Sequence, residues 1–406
     1  MGFDNLLERL GVDPWMAKSR LKLAWRRWGW RVARGFACAL AGCGCAVIAM
    51  SPIGERTEGQ LRRAWYSIRG ERALVAPVTV VRIDDAAFLH ANKASGEPFP
   101  RDVIAKGLRR IGDAGARMVM LDMIFRRETT PEIDSKLREA LAATPSVIGR
   151  AIMAQGERDA DGGKRVNRMR LEPQRLFAEN AGAVMSLKVT TTNGMVESIS
   201  LGAEGTLTGR AEVPLLEPLR EFVNPDLGAP GWRDLINYYG GPFTVPSVGF
   251  VEVLEGDTET LARHFKDRLV FIGAMTNLST GLASLNDTFV VPVSASRMFG
   301  VEIHTTIAAN LLEKSWLKRL SPEVEAIILV ALGFGVTLLL LSLRLSVAAP
   351  FVIAVAVAWL GCSYVGFSAL DYFIPAGTFA VIVVPGVIAL RLSVPAVLTR
   401  RSDRAF

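Results

Sequence analysis

The chain has 406 residues, of which 50% are hydrophobic and 21% are charged, and its mean hydropathy is positive. This composition is too apolar for an ordinary soluble protein and too charged for a bundle of membrane helices alone, so it predicts a folded domain joined to membrane spans. The formal net charge is +7. No zinc-ligand spacing and no basic–aromatic module accompany it, which argues against a nucleic-acid partner.

The first 53 residues predict a basic cytoplasmic segment followed by a membrane helix. Residues 1–34 hold eight Lys or Arg against three Asp or Glu, which favours the anionic face of a lipid bilayer. Four apolar residues recur there at helical spacing: Leu21, Trp25, Trp28 and Val32. They predict an amphipathic interfacial helix. Residues 35–53 carry no charge and predict the first span; a signal peptide is the alternative, but its charged region would be too long.

Three further apolar segments predict membrane helices at residues 324–345, 347–370 and 373–392. Arg344 lies between the first two and the tail 393–406 is basic, whereas the link between the last two holds Asp371 and no base. Short cytoplasmic loops are enriched in Lys and Arg, so this pattern predicts four spans with both termini in the cytoplasm. Residues 54–322 then lie outside the cytoplasmic membrane, in the periplasm of a bacterium.

The region 54–322 predicts an α/β domain with a mostly parallel sheet. A helix pattern at 100–115 separates two apolar runs, "VTVVRID" (78–84) and "ARMVMLDMIF" (116–125), and a further run, "DRLVFIGAM" (267–275), follows much later. Nearly continuous apolar strands are typical of parallel sheets that are covered on both faces. Ligands of such sheets bind at the carboxyl ends of the strands. Asp84, Asp85 and Asp122 are predicted to lie at that edge.

Several separated motifs resemble the CHASE2 domain, an extracytoplasmic sensory domain of bacterial signalling proteins. They are "VRIDDAAF", "FPRDVIAKGLRRIGDAGARMVMLDMIF", "INYYGGPFTVPSVGFVEVL", "FKDRLVFIGAM", "NDTFVVP" and "GVEIHTTIAANLL". Their order matches the family, as does the frame of one span before the domain and three after it, over about residues 36–392. The resemblance implies a sensor of an unknown periplasmic stimulus in the bacterial inner membrane.

Such domains usually feed a cytoplasmic kinase or nucleotide cyclase in the same chain. Only sixteen residues follow Leu390, too few for a folded output domain. We therefore expect a separate cytoplasmic or membrane signalling partner, unless the chain is a truncated form. By analogy with signalling modules of this kind, we also expect a homodimer.

The resemblance and the strand pattern together single out seven polar residues as candidate ligand contacts: Asp84, Asp85, Arg101, Asp122, Asn237, Asp287 and His304. Carboxylate and amide oxygens from separate loops would suit a divalent cation such as Ca²⁺ or Mg²⁺. An anion could instead meet the guanidinium of Arg101. The alternative is that these groups only cap helices and pair with one another. His304, if it pairs with an acid, could respond to pH.

Two other functions stay open. The chain could be a membrane scaffold or accessory subunit that binds no ligand. It could also be a periplasmic hydrolase that uses Asp84, Asp122 and a metal ion. The sequence has no G-x-S-x-G, H-E-x-x-H or phosphate-loop motif, so we expect a binding protein and no enzyme.

Overall fold

A computed structural model describes residues 14–94, 97–158, 164–201, 212–276 and 287–393. The chain forms two compact units. The first unit comprises the residues up to Leu61, Leu320–Gly366 and the residues from Ile374 onward; the second comprises Arg62–Arg319 and Phe367–Phe373. The first thirteen residues of the predicted basic segment, and the predicted tail beyond residue 393, lie outside the described residues.

The helices, in chain order, are α1 (Pro14–Ala49), α2 (Pro52–Arg69), α3 (Asp85–His90), α4 (Arg101–Asp113), α5 (Pro131–Ala143), α6 (Arg175–Ala178), α7 (Leu216–Phe222), α8 (Phe250–Glu255), α9 (Thr258–Phe265), α10 (Gly300–Glu313), α11 (Pro322–Ser342), α12 (Leu345–Ala369) and α13 (Val384–Ser393). A π-helical turn, Phe379–Val383, leads into α13.

The strands, in chain order, are β1 (Val78–Ile83), β2 (Met118–Leu121), β3 (Ser146–Arg158), β4 (Lys164–Leu171), β5 (Ala183–Ser186), β6 (Thr191–Thr192), β7 (Met195–Val196), β8 (Ser247–Gly249), β9 (Leu269–Ala274), β10 (Thr288–Phe289), β11 (Met298–Phe299), β12 (Lys318–Arg319) and β13 (Tyr372–Phe373).

The first unit is helical. Within the described residues, three stretches of helix are long and apolar enough to cross a membrane: Arg31–Ala49, Pro322–Ser342 and Leu345–Ala369. The fourth predicted span, residues 373–392, contains a shorter apolar helix, Phe379–Ala389. Its crossing of the membrane therefore stays a prediction. Helices α1 and α11 approach closely where Gly42 meets Gly333, because neither residue has a side chain to hold the backbones apart.

Glu58 joins the shorter apolar helix to α2 within the first unit. Its side chain is buried, and its two carboxylate oxygens accept hydrogen bonds from the backbone N–H groups of Ala376, Gly377 and Thr378 at 3.1, 3.2 and 2.8 Å. These donors lie at the start of a helix, where N–H groups have no partner within the helix itself. A carboxylate at this position satisfies them and complements the helix dipole.

The second unit is built on a seven-stranded, mostly parallel sheet, as the sequence predicts. The strand order is β4-β3-β2-β9-β1-β8, and β5 also pairs with β3. Every pair in this sheet is parallel except β3 with β4. Strand β9 lies between β1 and β2, with Ile272 opposite Leu121 and Ala274 opposite Ile83.

Helices cover both faces of this sheet, which explains its apolar strands. On one face, β-branched and leucine side chains such as Val81 and Val119 join a core with α4, α5, α8 and α9. On the other face, α10 packs on β1 and β9. A Cβ at Gly273 of β9 would lie only 2.6 Å from the Cβ of Val301, so glycine is required where the helix crosses this strand.

Candidate functional site

The carboxyl edge of the sheet collects the predicted acids. Asp84 follows β1 and caps α3, since its carboxylate accepts a hydrogen bond of 3.1 Å from the N–H of Ala87. Asp85 begins the same helix and is half-buried. Asp122 follows β2, on the far side of β9. Because two strand spacings separate β1 from β2, the backbones of Asp84 and Asp122 lie on the order of 10 Å apart.

Asp122, Asp287 and His304 form an electrostatically linked group at this edge. Burial raises the pKa of Asp122 to about 7. Loss of hydration, together with the charge of Asp122, raises the pKa of Asp287 to about 7, and His304 opposes this rise. Asp287 keeps exposed surface, yet its carboxylate packs against Gly300, where any Cβ would overlap it. We name Asp122, Asp287 and His304 the edge group.

His304 is fully buried in α10. Its Nε2 lies 3.2 Å from the carbonyl oxygen of Leu187, so the tautomer that satisfies this contact carries its proton on Nε2 and donates it. Nδ1 is then an acceptor, and it has no hydrogen-bond partner among the described residues. Burial lowers the pKa of His304 while Asp287 opposes that change. Since its folded pKa is lowered, His304 costs stability as the pH falls below about 6.5.

Helix α10 also carries a buried acid, Glu302. Glu302 accepts a hydrogen bond of 2.6 Å from the N–H of Phe243 through Oε1, whereas Oε2 is buried without a hydrogen-bond partner among the described residues. Burial raises the pKa of Glu302, and the nearby charge of Arg82 opposes the rise. Phe243 has a left-handed backbone with φ of +67° and a ring that is 53% exposed. The sequence reasoning did not single out Glu302 or Phe243.

An open pocket of about 410 Å³ lies beside these residues. Its lining residues come from the end of β9, from the β10–β11 hairpin and from the turn before β8: Pro242, Phe243, Thr276, Thr288, Ser296, Arg297 and Phe299. Pockets at the carboxyl edge of a parallel sheet are the usual ligand sites of such folds. These segments are distant in sequence and come together because β9 lies between β1 and β2 in the sheet. No local sequence pattern therefore predicts the pocket.

Arg101 lies in a different place from the edge group. Its guanidinium forms an ion pair of 2.7 Å with Asp134 of α5, donates to the carbonyl oxygen of Arg127, and lies over the ring of Phe177. These contacts belong to the helical face that carries the main core. They give Arg101 a structural role at the start of α4, and its predicted contact with a ligand stays a prediction.

Asn237 also lies apart from the edge group, in a buried polar network. Its Nδ2 donates to the carbonyl oxygen of Ser315 and to Oδ1 of Asp371, both at 2.7 Å, and its Oδ1 accepts from Arg69 at 2.8 Å. Asp371 also pairs with Arg72 at 3.3 Å. We name these residues the clasp: Arg69, Arg72, Asn237, Ser315 and Asp371.

The clasp collects the segments of the second unit that lead into the first unit. Arg69 and Arg72 follow the boundary at Leu61, Ser315 precedes the boundary at Arg319, and Asp371 belongs to the short insertion Phe367–Phe373. The side chains of Asn237 and Arg72 each bond to both Ser315 and Asp371, and so hold together the segments of the second unit that lead into the first unit.

No three Asp, Glu, His or Cys side chains among the described residues lie close enough to hold a metal ion together. The segment 277–286, which follows β9, lies outside the described residues. The divalent cation therefore stays a prediction.

The raised pKa of Asp122 predicts that the second unit loses stability as the pH rises from about 4 to about 7. In this window the unfolded chain has released the proton that folded Asp122 keeps, which favours unfolding. Asparagine cannot ionise, so we expect Asp122→Asn to raise the free energy of unfolding at pH 8 by about 2 kcal/mol. A pKa shift from 3.8 to about 7 would correspond to about 4 kcal/mol for a fully buried group, and we halve this value because Asp122 is partly exposed.

Denaturant unfolding measured between pH 4 and pH 8 checks this expectation. Asp113→Asn, at an exposed position at the end of α4, is the matched control. If the wild-type and Asp122→Asn curves stay parallel across the window, Asp122 does not retain its proton as its burial implies.

Comparison with known families agrees with the geometry of the second unit and the apolar helices around it. The family model described as the CHASE2 domain matches residues 40–341. No curated protein and no solved structure matches the chain. CHASE2 is a family of extracellular sensory domains. The match covers most of the 406 residues, and its span includes the parallel sheet, the edge group and the pocket. This chain is therefore a member of the CHASE2 domain family.

Proposed function

We propose that this protein is a membrane-anchored sensor whose second unit lies outside the cytoplasmic membrane and binds a stimulus at the carboxyl edge of its sheet. Membership of a sensory family supports a role in binding rather than in catalysis. The observation that carries the proposal is the edge group, in which two acids with a pKa raised to about 7 lie close to an open pocket. Strongly perturbed groups in a cleft are typical of functional sites.

The clasp supplies a route for the signal. A change at the carboxyl edge would move α10, which carries His304 and ends at Glu313, two residues before Ser315. Asn237 bonds to Ser315, Asp371 and Arg69, so a shift of the segment that contains Ser315 would also displace the segments that contain Asp371 and Arg69. We propose that the membrane helices receive this shift and pass it to a signalling partner, and that two copies of the chain act as a dimer.

The proposed topology has four spans and cytoplasmic termini in the bacterial inner membrane. The charge distribution supports it, since Arg344 and Arg391 lie at the cytoplasmic ends of the spans and Asp371 at an outer end. Only three of the four spans have the length expected of a complete membrane helix. The helical residues 377–393 would form the fourth span, as a shorter helix than the other three.

Cysteine labelling tests the proposed topology. In a variant without its four native cysteines, we expect a cysteine at exposed Glu217 to react with a membrane-impermeant maleimide in spheroplasts. A cysteine at exposed Arg344 should react only after the membrane is permeabilised, and serves as the matched position. Labelling of position 344 but not of position 217 in intact spheroplasts would place the second unit in the cytoplasm and overturn the sensor proposal.

Hydrogen–deuterium exchange tests the proposed signal route. In the full-length protein in lipid nanodiscs, a change from pH 8 to pH 6 should alter the protection from exchange, relative to the unstructured chain at the same pH, in the segments around Asn237 and Ser315, because protonation of the edge group removes the repulsion between Asp122 and Asp287. Asp122→Asn should reduce this response. A response that is the same in the variant would favour a scaffold, the alternative without a stimulus.

A further inference from the structure

The pocket beside the edge group has a definite chemistry. It contains one cationic side chain, three hydroxyl groups and two phenyl rings, and no carboxylate among its described lining residues. We propose that it binds a small organic anion that carries a planar apolar group, of the class of the aromatic carboxylates. This inference rests on the proposed sensor function and names the class of its stimulus.

Arg297 supplies the charge and is held in a fixed orientation. Its Nε donates to Oγ1 of Thr288 at 2.9 Å, and its Nη2 donates to the carbonyl oxygen of the same residue. These bonds use two of the five donors of a guanidinium and leave the others for a ligand. Arg297 is exposed and forms no ion pair with a carboxylate among the described residues. A fixed guanidinium with open donors suits a carboxylate, which it can meet through two parallel hydrogen bonds.

Phe243 and Phe299 supply the apolar wall. Their ring centroids lie 6.1 Å apart at an interplanar angle of 65°, so a third ring could pack edge-to-face against them. Phe299 is buried, whereas the ring of Phe243 is 53% exposed although its backbone has an unfavourable positive φ. Such a conformation is unfavourable and persists where the surroundings hold it. Here the N–H of Phe243 donates a hydrogen bond of 2.6 Å to Glu302.

The hydroxyl groups of Thr276, Thr288 and Ser296 complete the lining. Hydroxyl groups donate to an anion without adding charge. Glu302 accepts a hydrogen bond from the N–H of the lining residue Phe243, and a further acid next to a lining residue is Asp287, directly before Thr288. Its carboxylate packs against Gly300, and its raised pKa reduces the repulsion that it would exert on an anion. A volume of about 410 Å³ falls within the usual range of small-molecule sites, roughly 300–1,000 Å³.

Calorimetric titration of the full-length protein in nanodiscs at about pH 6 tests the inference with three probes. Benzoate has the ring and the negative charge, benzylammonium has the ring with the opposite charge, and acetate has the charge without the ring. We expect benzoate to bind and the other two to bind at least tenfold more weakly, since benzylammonium loses the charged hydrogen bond to Arg297 and acetate loses the ring contact.

Variants locate the binding. Arg297→Gln should weaken benzoate binding at least tenfold, and Phe243→Ala should weaken it while leaving the preference for anions unchanged. Arg263→Gln is the matched control, because Arg263 is an exposed arginine of α9 and bonds only to Thr260 among the described residues. The pocket is not an anion site if benzoate fails to bind, if Arg297→Gln binds it normally, or if benzylammonium binds as well. The sensor proposal would survive that result if the exchange response of the clasp and the labelling pattern are both as expected.

Discussion

Glu197→Gln is expected to lower the free energy of unfolding of the second unit by about 3–5 kcal/mol. Glu197 and Arg62 form two charged hydrogen bonds, at 2.8 and 2.6 Å, and both side chains are only 2% exposed. Glutamine keeps the shape but removes the negative charge. The guanidinium of Arg62, which also lies over the ring of Phe373, would then remain buried without the carboxylate that neutralises it.

Chemical denaturation of the full-length protein in nanodiscs measures this effect. Glu139→Gln is the control, because Glu139 forms a comparable bond of 2.9 Å to Arg109 on the surface, where the two side chains are 53% and 46% exposed. Exposed pairs contribute at most about 1 kcal/mol. Equal losses in the two variants would show that water reaches the Arg62–Glu197 pair in solution.

Asn237→Leu should destabilise the same unit by about 3–5 kcal/mol, because it removes three buried hydrogen bonds at once, two of them to charged side chains. Leucine has the same number of side-chain heavy atoms and the same branching as asparagine, so the substitution leaves no cavity. Asn224→Leu, at an exposed position with a single local bond to Asp226, should cost less than about 1 kcal/mol.

Asn237→Asp tests whether hydrogen bonds or packing contacts of this side chain stabilise the clasp. The new carboxylate could still accept from Arg69 but would face Asp371 at the distance of a hydrogen bond. We expect a loss at neutral pH that is partly recovered at acid pH, where a protonated carboxyl group can donate to Asp371. Identical losses at both pH values would show that the clasp is held by packing alone.

The sequence predicts the sheet well because its strands are buried on both faces. The apolar runs at β1, β2 and β9 and the helix between β1 and β2 all form as the pattern indicates, since local periodicity reports burial directly. The rule that the carboxyl ends of parallel strands share one edge predicts the positions of Asp84, Asp85 and Asp122, whereas Asp287 and His304 lie outside those strands and are predicted only by the family resemblance. Three of the four segments that the sequence predicts as spans contain helices long and apolar enough to cross a membrane, and the fourth contains a shorter apolar helix.

The remaining site depends on pairings that no local pattern encodes. Arg101 pairs with Asp134 because α4 and α5 pack side by side. The sequence around Arg101 does not indicate this pairing, so it could not show whether the guanidinium is available for an anion. Asn237 meets Asp371 across 134 positions of sequence. Phe243 is left-handed and donates its N–H to Glu302, 59 positions later, and no pattern in the neighbouring sequence marks either residue.

Glu58 has a consequence for the order in which the protein is assembled. Glu58 is synthesised more than 300 residues before Ala376, Gly377 and Thr378, whose N–H groups donate hydrogen bonds to its carboxylate. During all of that synthesis the charge must stay hydrated, because an ionised group enters a protein interior only with partners. The N-terminal half of the bundle therefore cannot reach its final packing until the last apolar stretch arrives, so a chain that stops short of residue 376 should be retained as an incompletely folded substrate for quality-control proteases.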